Sequence, residues 1–250
     1  MRSHVLLKLP AFAAAILWLS GCAPATASVP PAATQAVAAA SAATPPVVAP
    51  AATVDPFPGW TVYSNSTYGI SFRYPSTWYG PDVYEFEGGV RLAVGSDVVY
   101  PYGTGPEDRQ PGALNAYAVV IQYTVNTAGR TLEQARAEQP WLNEDLAVLD
   151  MQDGESSTTA RSLTTRVRGL TLGRFTGVEF TTTLSETAQT ERFFSRSAFL
   201  MDENGNTLQI MGSPDNVEVS DPAKWREAFE AVDGANQGIW NDLIDSIQVE

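Results

Sequence analysis

A break in composition at residue 57 most constrains what this chain can fold into. Residues 23–56 contain 14 Ala and 7 Pro and no aromatic residue. Such a stretch cannot bury enough apolar surface to offset the entropy lost on ordering, so we expect a tether there. From Phe57 onward aromatic residues become frequent, and 12 of them lie between Phe57 and Tyr102. The sequence therefore predicts one globular domain, residues 57–250, preceded by a tether.

The first 22 residues predict export and attachment to a membrane. A basic start is followed by an apolar stretch from Leu9 to Leu19, which is much shorter than the roughly 20 residues of a membrane-spanning helix. Ser20 and Gly21 then precede Cys22, the single cysteine of the chain. This arrangement resembles the signal peptide and lipobox of bacterial lipoproteins. The resemblance implies that residues 1–21 are removed and that Cys22, lipidated, anchors an extracytoplasmic protein to the cell membrane through the tether 22–56. The alternative is an ordinary secretory signal with an incidental cysteine.

Few side chains suited to catalysis or metal binding remain after residue 22. The single histidine is His4, so the usual Ser-His-Asp and Cys-His nucleophilic sites have no base in the mature chain. Zinc and copper sites, which rely on imidazole or thiolate, are disfavoured for the same reason. Oxygen ligands leave calcium or magnesium as an option, but residues 202–206 lack the EF-hand spacing and instead predict a hairpin turn. We expect a non-catalytic domain with no cofactor and no metal.

Charge limits the partners that the domain can bind. Beyond residue 56 the chain carries 27 acidic residues against 13 basic ones, which argues against nucleic acid and against anionic lipid headgroups. Six arginines lie between Arg161 and Arg196, whereas residues 202–250 are strongly acidic. This segregation predicts either a surface that steers an acidic partner or a solvated sheet face crossed by Arg–Glu pairs.

Period-two alternation predicts several β-strands. Tyr68, Ile70, Phe72 and Tyr74 share one face of a strand that Pro75 ends. Further strands are expected at 91–94, 116–125, 163–172, 178–184, 191–201 and 207–211, and a short last strand at 246–249.

Three helices are expected beside these strands. Thr131 and Gln134 form a capping-box pattern that opens a helix ending near residue 139. Asp221 and Pro222 open a second helix, which contains Trp225. A third helix contains Trp240. Antiparallel strands with one inserted helix and two at the end predict an α+β domain, an antiparallel β-sheet with helices packed on it.

Two segments resemble the PsbP-like domain family. Residues 68–78, Tyr-Gly-Ile-Ser-Phe-Arg-Tyr-Pro-Ser-Thr-Trp, are similar to its opening motif, and residues 240–247 are similar to its closing helix and strand. The resemblance implies an α/β/α sandwich built on an antiparallel sheet. Members of this family share a fold rather than one function. The histidines of the family's photosynthetic metal site have no counterpart here. The motif also predicts that Trp78 folds back over the sheet as a hydrophobic plug.

Tyr100 and Tyr102 are the candidate binding residues. They lie in a segment rich in Gly and Pro, and loop aromatics are often used for binding. The alternative is a lid folded over the sheet edge. Together these features predict a membrane-anchored binding or assembly module for an extracytoplasmic protein complex. The competing hypothesis is a lipoprotein that binds a small ligand or solute in a pocket between sheet and helices. A hydrolase that uses only carboxylates is disfavoured, because no pair of them stands out by spacing.

Overall fold

The computed structural model describes residues 57–110, 112–131, 134, 147–159, 162–184 and 192–250. All of these residues belong to one compact unit. They form eleven strands and one α-helix, so the α+β class is confirmed. In chain order the elements are β1 (Trp60–Asn65), β2 (Ile70–Pro75), β3 (Tyr79–Phe86), β4 (Gly89–Gly95), β5 (Ala116–Thr124), β6 (Ser156–Thr158), β7 (Ser162–Leu172), β8 (Phe175–Leu184), β9 (Phe194–Met201), β10 (Thr207–Asp215), α1 (Trp225–Asp245) and β11 (Gln248–Val249).

Eight strands form one antiparallel sheet in the order β3-β4-β5-β10-β9-β8-β7-β6. The other three form a small antiparallel sheet in the order β1-β2-β11. The predicted alternation in β2 is confirmed, since Ile70, Phe72 and Tyr74 are buried and the residues between them are partly exposed. Strands β1, β3 and β6 were not predicted.

The two predicted C-terminal helices are one continuous helix, and that expectation was wrong. Asp221 caps the entry as predicted, because its Oδ1 accepts the N–H of Ala223 at 3.0 Å. A single 3-10 turn then leads into α1, which passes through Gly234 and Gly238 without a break. Glycine weakens a helix interior by about 1 kcal/mol, so side-chain contacts with the sheet have to support this stretch.

The main core lies between the large sheet and the layer formed by α1 and the small sheet. We call the face of the large sheet that meets this layer the inner face. Trp240, Leu243 and Ile244 of α1 are fully buried there, and burial of each contributes about 2 kcal/mol. Trp78 is also buried, with its ring centroid 6.5 Å from that of Tyr117, which agrees with its predicted position over the sheet.

A smaller apolar cluster lies on the opposite, outer face. Val148 and Met151 pack there against Val178 and Phe180 of β8 and Phe199 of β9. Within the described residues, this cluster covers one end of the outer face. The other end, formed by β3, β4, β5 and β10, carries the segment with Tyr100 and Tyr102.

One predicted helix start and one predicted turn have the expected hydrogen bonds. Thr131 and Gln134 make both bonds of a capping box: the Thr131 N–H donates to Gln134 Oε1 at 2.9 Å, and the Gln134 N–H donates to Thr131 Oγ1 at 3.2 Å. The rest of the helix predicted there falls outside the described residues. The turn between β9 and β10 spans residues 202–206 and is closed by Asp202, whose Oδ1 accepts the N–H groups of Asn204 and Asn206.

Candidate functional site

The loop between β4 and β5 places Tyr100 and Tyr102 differently. The Tyr100 hydroxyl accepts the N–H of Gln110 at 2.9 Å, so this side chain is tied into its own loop. The Tyr102 ring is 55% exposed, while its backbone N–H donates to Asp82 Oδ2 of β3 at 3.1 Å. The loop is therefore fastened to the sheet edge, as the lid alternative expected, yet it still presents Tyr102 to solvent.

Tyr102 belongs to an exposed group of aromatic rings. Its ring centroid lies 4.4 Å from that of Tyr84, and Tyr84 in turn stacks on Phe86 at 6.2 Å. Tyr84 is 41% exposed. Alternation along β3 places Tyr84 and Phe86 on the outer face, because Tyr84 pairs with Arg91 and Phe86 pairs with Gly89 in the ladder. These rings lie outside the main core and are not needed to fill it.

Arg91 of β4 completes the group. Its guanidinium carbon lies 4.8 Å from the centroid of the Tyr102 ring, a cation–π contact. The side chain is half-buried, and burial lowers the pKa of Arg91 below its ordinary value, while Asp82 and Tyr102 oppose that shift. Among the described residues, no acceptor bonds to its guanidinium.

We call Tyr84, Phe86, Arg91 and Tyr102 the aromatic–arginine platform. Together with Gln122 of β5 they line an open cavity of about 290 Å³. Arg91 also borders a second cavity of about 320 Å³, where Arg109 and Tyr100 lie. The Arg109 guanidinium carbon is 5.9 Å from the centroid of the Tyr100 ring. This end of the outer face thus combines exposed rings with two cations.

The buried charges of the inner face form a second candidate site. Arg196 of β9 donates from Nη2 to Asp233 Oδ2 at 2.6 Å and from Nη1 to Glu179 Oε1 at 2.9 Å. Trp240 Nε1 donates to the same Glu179 oxygen at 3.1 Å, and the Tyr117 hydroxyl donates to Asp233 Oδ1 at 2.9 Å. Burial lowers the pKa of Arg196, but its bonds to Asp233 and Glu179 outweigh burial and raise that pKa above its ordinary value. We call these five residues the inner-face network.

The inner-face network fastens α1 to the sheet. Each of its charged groups is paired, and Arg168 adds a further bond from Nε to Glu179 Oε2 at 2.7 Å. No charged member is left over to bind a ligand. Two arginines of the segment 161–196, Arg168 and Arg196, form the Arg–Glu pairs of the second alternative, but Arg196 is buried and also pairs with an acid from the C-terminal helix.

The turn at residues 202–206 borders two further cavities, of about 510 Å³ and 370 Å³. The Asp202 carboxylate there is already used, since Arg174 Nε donates to its Oδ2 at 3.0 Å and Asn206 Nδ2 donates to the same oxygen at 2.8 Å. Burial raises the pKa of Asp202, but the bonds from Asn206, Arg174 and Asn204 outweigh burial and lower it. Within the described ranges, no three His, Cys, Asp or Glu side chains come together as metal ligands.

The competing hypothesis expected a ligand pocket between the sheet and the helices. In the described part of the chain, Trp240, Tyr117 and Phe72 are at most 1% exposed and fill the space between the sheet and α1. No helix among the described residues has the length and apolar character needed to cross a membrane. Cys22 and the rest of the predicted leader lie outside the described residues.

The sequence pointed to Tyr102 but missed Tyr84 and Arg91. Alternation around Val90 and Leu92 does place Arg91 on the opposite face of its strand. The register that brings Arg91 beside Tyr84 comes from the β3–β4 hairpin, and β3 was not predicted. Two residues separate β3 from β4 at Glu87-Gly88, and this short spacing with a Gly is the signal that could have revealed the hairpin.

No protein-family model matches this chain, and no curated protein matches it. Among solved structures, it is similar to the solution structure of cyanobacterial PsbP (CyanoP) from Synechocystis sp. PCC 6803. The two sequences are 9% identical, and the match covers 81% of this chain and 99% of that chain with a TM-score of 0.33. At this TM-score the similarity carries no argument about this chain. The α+β class rests on the strands and helix described above, and the PsbP-like family stays a prediction from the two motifs.

Proposed function

We propose that this chain is a lipid-anchored extracytoplasmic binding module that holds a protein partner on the aromatic–arginine platform. The observation that carries the proposal is the exposed contact between Tyr84 and Tyr102, beside a half-buried Arg91. Tyrosine and arginine are among the residues that dominate the binding energy of protein interfaces.

A protein partner fits this surface better than a small ligand does. Ligand pockets usually enclose about 300–1,000 Å³ and bury most of the ligand. The two cavities at the platform, about 290 Å³ and 320 Å³, are at the lower end of that range and open to solvent. They suit side chains that project from a larger surface.

The membrane anchor is the part of the proposal that rests on sequence. Cys22 would carry the lipid and residues 23–56 would let the domain reach its partner. The same proposal includes the absence of catalysis, which rests on the lack of histidine beyond His4.

Site-specific photo-crosslinking in intact cells tests the module. A benzophenone amino acid replaces Tyr102, and in a matched control it replaces Phe193, which is 36% exposed and precedes β9. We expect position 102 to give a discrete protein adduct that position 193 does not give, and we expect Tyr84→Ser to abolish it. Equal adducts from both positions, or an adduct insensitive to Tyr84→Ser, would contradict the proposal.

The platform residues should contribute little to stability. Tyr84→Ser removes ring contacts with Phe86 and Tyr102, and Tyr102→Ser removes the ring contact with Tyr84 and the cation–π contact with Arg91. Each exposed contact is worth about 0.5–1 kcal/mol, so we expect the free energy of unfolding to fall by about 1–2 kcal/mol. Urea unfolding of the purified chain measures this change. A loss of several kcal/mol would mean that the rings serve packing. Tyr100 is left unchanged because its hydroxyl is tied to Gln110.

A further inference from the structure

Arg91 differs from the other sheet arginines in having no acceptor. Four arginines of the sheet and its turns donate to a carboxylate: Arg166 to Asp153, Arg168 to Glu179, Arg174 to Asp202, and Arg196 to both Glu179 and Asp233. Among the described residues, nothing accepts a hydrogen bond from the guanidinium of Arg91. A half-buried cation without an acceptor is unfavourable, because burial strips it of water without replacing the lost bonds.

The contact with Tyr102 does not use up the donors of Arg91. A guanidinium carries five N–H donors in its own plane, and a cation–π contact occupies only a face of that plane. The donor edge therefore stays available to an acceptor that enters the 290 Å³ cavity. Two parallel N–H groups match the two oxygens of a carboxylate in a bidentate pair.

Each nearby carboxylate of the chain accepts a backbone N–H group and none of them bonds to Arg91. Asp82 Oδ2 accepts the N–H of Tyr102 at 3.1 Å, Asp97 Oδ2 accepts that of Ala113, and Asp215 Oδ1 accepts that of Asn216 at 2.8 Å. Asp82 is close enough to influence the pKa of Arg91, but the two form no ion pair. Arg109, which bonds to the carbonyl oxygen of Thr104 at 3.0 Å, adds a second cation to the same end of the outer face.

The surroundings favour a carboxylate of a protein over a phosphate. The domain carries 27 acidic and 13 basic residues, so it repels a dianionic phosphate or an anionic membrane surface more strongly than a single carboxylate. The cavity walls are Tyr84, Phe86 and Tyr102. They would cover the apolar part of a side chain whose charged end reaches Arg91.

We infer that the platform recognises an acidic side chain of the partner protein, an Asp or Glu beside an apolar residue, through a bidentate pair with Arg91. This inference rests on the proposed function and names the chemistry of the partner at that same surface. Gln122, which lines the cavity, is placed to donate a further hydrogen bond to the carboxylate.

The test follows the side-chain Nε–H signal of Arg91 by NMR in the full chain, purified in detergent and labelled with ¹⁵N-arginine. One probe is a capped synthetic peptide with a glutamate followed by a phenylalanine, and the other is the same peptide with glutamine in place of glutamate. We expect only the glutamate peptide to shift the Arg91 signal saturably at millimolar concentration. Arg91→Gln should weaken binding of that peptide by at least about tenfold, which corresponds to about 1.4 kcal/mol.

Three comparisons separate the inference from its rivals. Arg192→Gln, at an exposed arginine before β9, removes the same charge and should leave peptide binding unchanged. Arg91→Lys keeps the charge but not the bidentate geometry, so it should bind nearly as weakly as Arg91→Gln. Inorganic phosphate should compete with the peptide only weakly, and strong competition would assign the site to phosphate instead.

Any of three results would overturn the inference. They are strong competition by phosphate, equal binding of the two peptides, and the absence of any saturable shift of the Arg91 signal. Crosslinking from position 102 that still depends on Tyr84 would then leave the proposed function standing with a different partner chemistry. Loss of both the crosslink and the peptide-dependent shift would contradict the proposed function as well as this inference.

Discussion

At the scale of single residues, the inner-face network shows a buried polar group held in one protonation state by its neighbours. Tyr117 is 1% exposed, and its hydroxyl donates to Asp233 Oδ1 at 2.9 Å. Burial, followed by the negative charge of Asp233, raises the pKa of Tyr117 well above its ordinary value. The folded chain therefore keeps this phenol protonated at pH values where an unfolded chain would ionise it.

This shift predicts a loss of stability at alkaline pH. A raised folded pKa means that the contribution is complete below the unfolded pKa of about 10 and declines above it. Tyr117→Phe should lower the free energy of unfolding by about 1.5 kcal/mol at pH 8, because a hydrogen bond to a charged group is lost. That difference should shrink by about 1 kcal/mol between pH 10 and pH 11, since only the original chain can ionise Tyr117 on unfolding.

Urea unfolding at several pH values measures both effects. Tyr79→Phe is the matched control, because Tyr79 is 52% exposed, and it should change neither the stability nor its dependence on pH. A constant difference between the original chain and Tyr117→Phe from pH 8 to pH 11 would contradict the assignment.

At the scale of elements, the close approach of α1 to β10 depends on a glycine. A Cβ added at Gly212 would collide with the Tyr117 hydroxyl and would lie 2.9 Å from Trp240 Cε3. Gly212→Ala should therefore push α1 away from the sheet and lower the free energy of unfolding by about 1–3 kcal/mol. Gly234→Ala is the matched control within α1, where a Cβ meets nothing within 4 Å. It should raise stability by about 0.5–1 kcal/mol, because Ala is the better helix former.

Thermal unfolding should show a lower midpoint temperature for Gly212→Ala and a higher one for Gly234→Ala. Intrinsic fluorescence, to which Trp240 contributes as one of six tryptophans, should shift to longer wavelength in Gly212→Ala alone, because the Trp240 indole becomes more exposed. If Gly234→Ala were destabilising as well, the effect of Gly212→Ala could not be assigned to the close contact between α1 and β10.

The elements that could be predicted are those with a local signal. Alternation revealed β2 and β5 because one face of each is buried and the other is not. In β3, Gly80 and Pro81 interrupt the apolar pattern, and most of its side chains are exposed because it lies at the sheet edge. The apolar patterns around Trp225 and Trp240 were interpreted as two helices, whereas Asp233 and Trp240 hold one continuous helix through contacts with residues far away in sequence.

In the candidate site too, only the residue with a local sequence signal could be predicted. Tyr102 could be predicted because Gly and Pro mark its segment as a loop. Arg91 could not, since an arginine in a strand usually finds a carboxylate, as Arg168 and Arg196 do here. Whether it does so depends on register, and register across strands is not visible in the local sequence.

At the scale of the whole molecule, the core that stabilises the domain and the proposed binding surface lie on opposite faces of the large sheet. The inner face holds the large buried side chains and a set of paired charges that is neutral once Arg168 is counted with Arg196, Glu179 and Asp233. The outer face at β3 and β4 holds exposed rings and an arginine that lacks an acceptor among the described residues. If the proposed function is right, substitutions at the platform would change binding with little effect on folding.

Membrane attachment of the whole molecule should depend on Cys22 alone. The domain is strongly acidic, and its charge gives it no attraction to anionic headgroups that could replace a lost lipid. Two or more acyl chains hold a protein firmly, at about 0.8 kcal/mol per buried methylene.

The original chain should stay in the membrane fraction in high salt and leave it in detergent, whereas Cys22→Ala, once cleaved, should be released completely. Ser20→Ala is the matched control, because it keeps a small residue before the cysteine and should stay attached. Mass spectrometry of the N-terminal peptide should show the lipid on Cys22, and a cleaved Cys22→Ala protein that remained on the membrane would show that another segment provides the anchor.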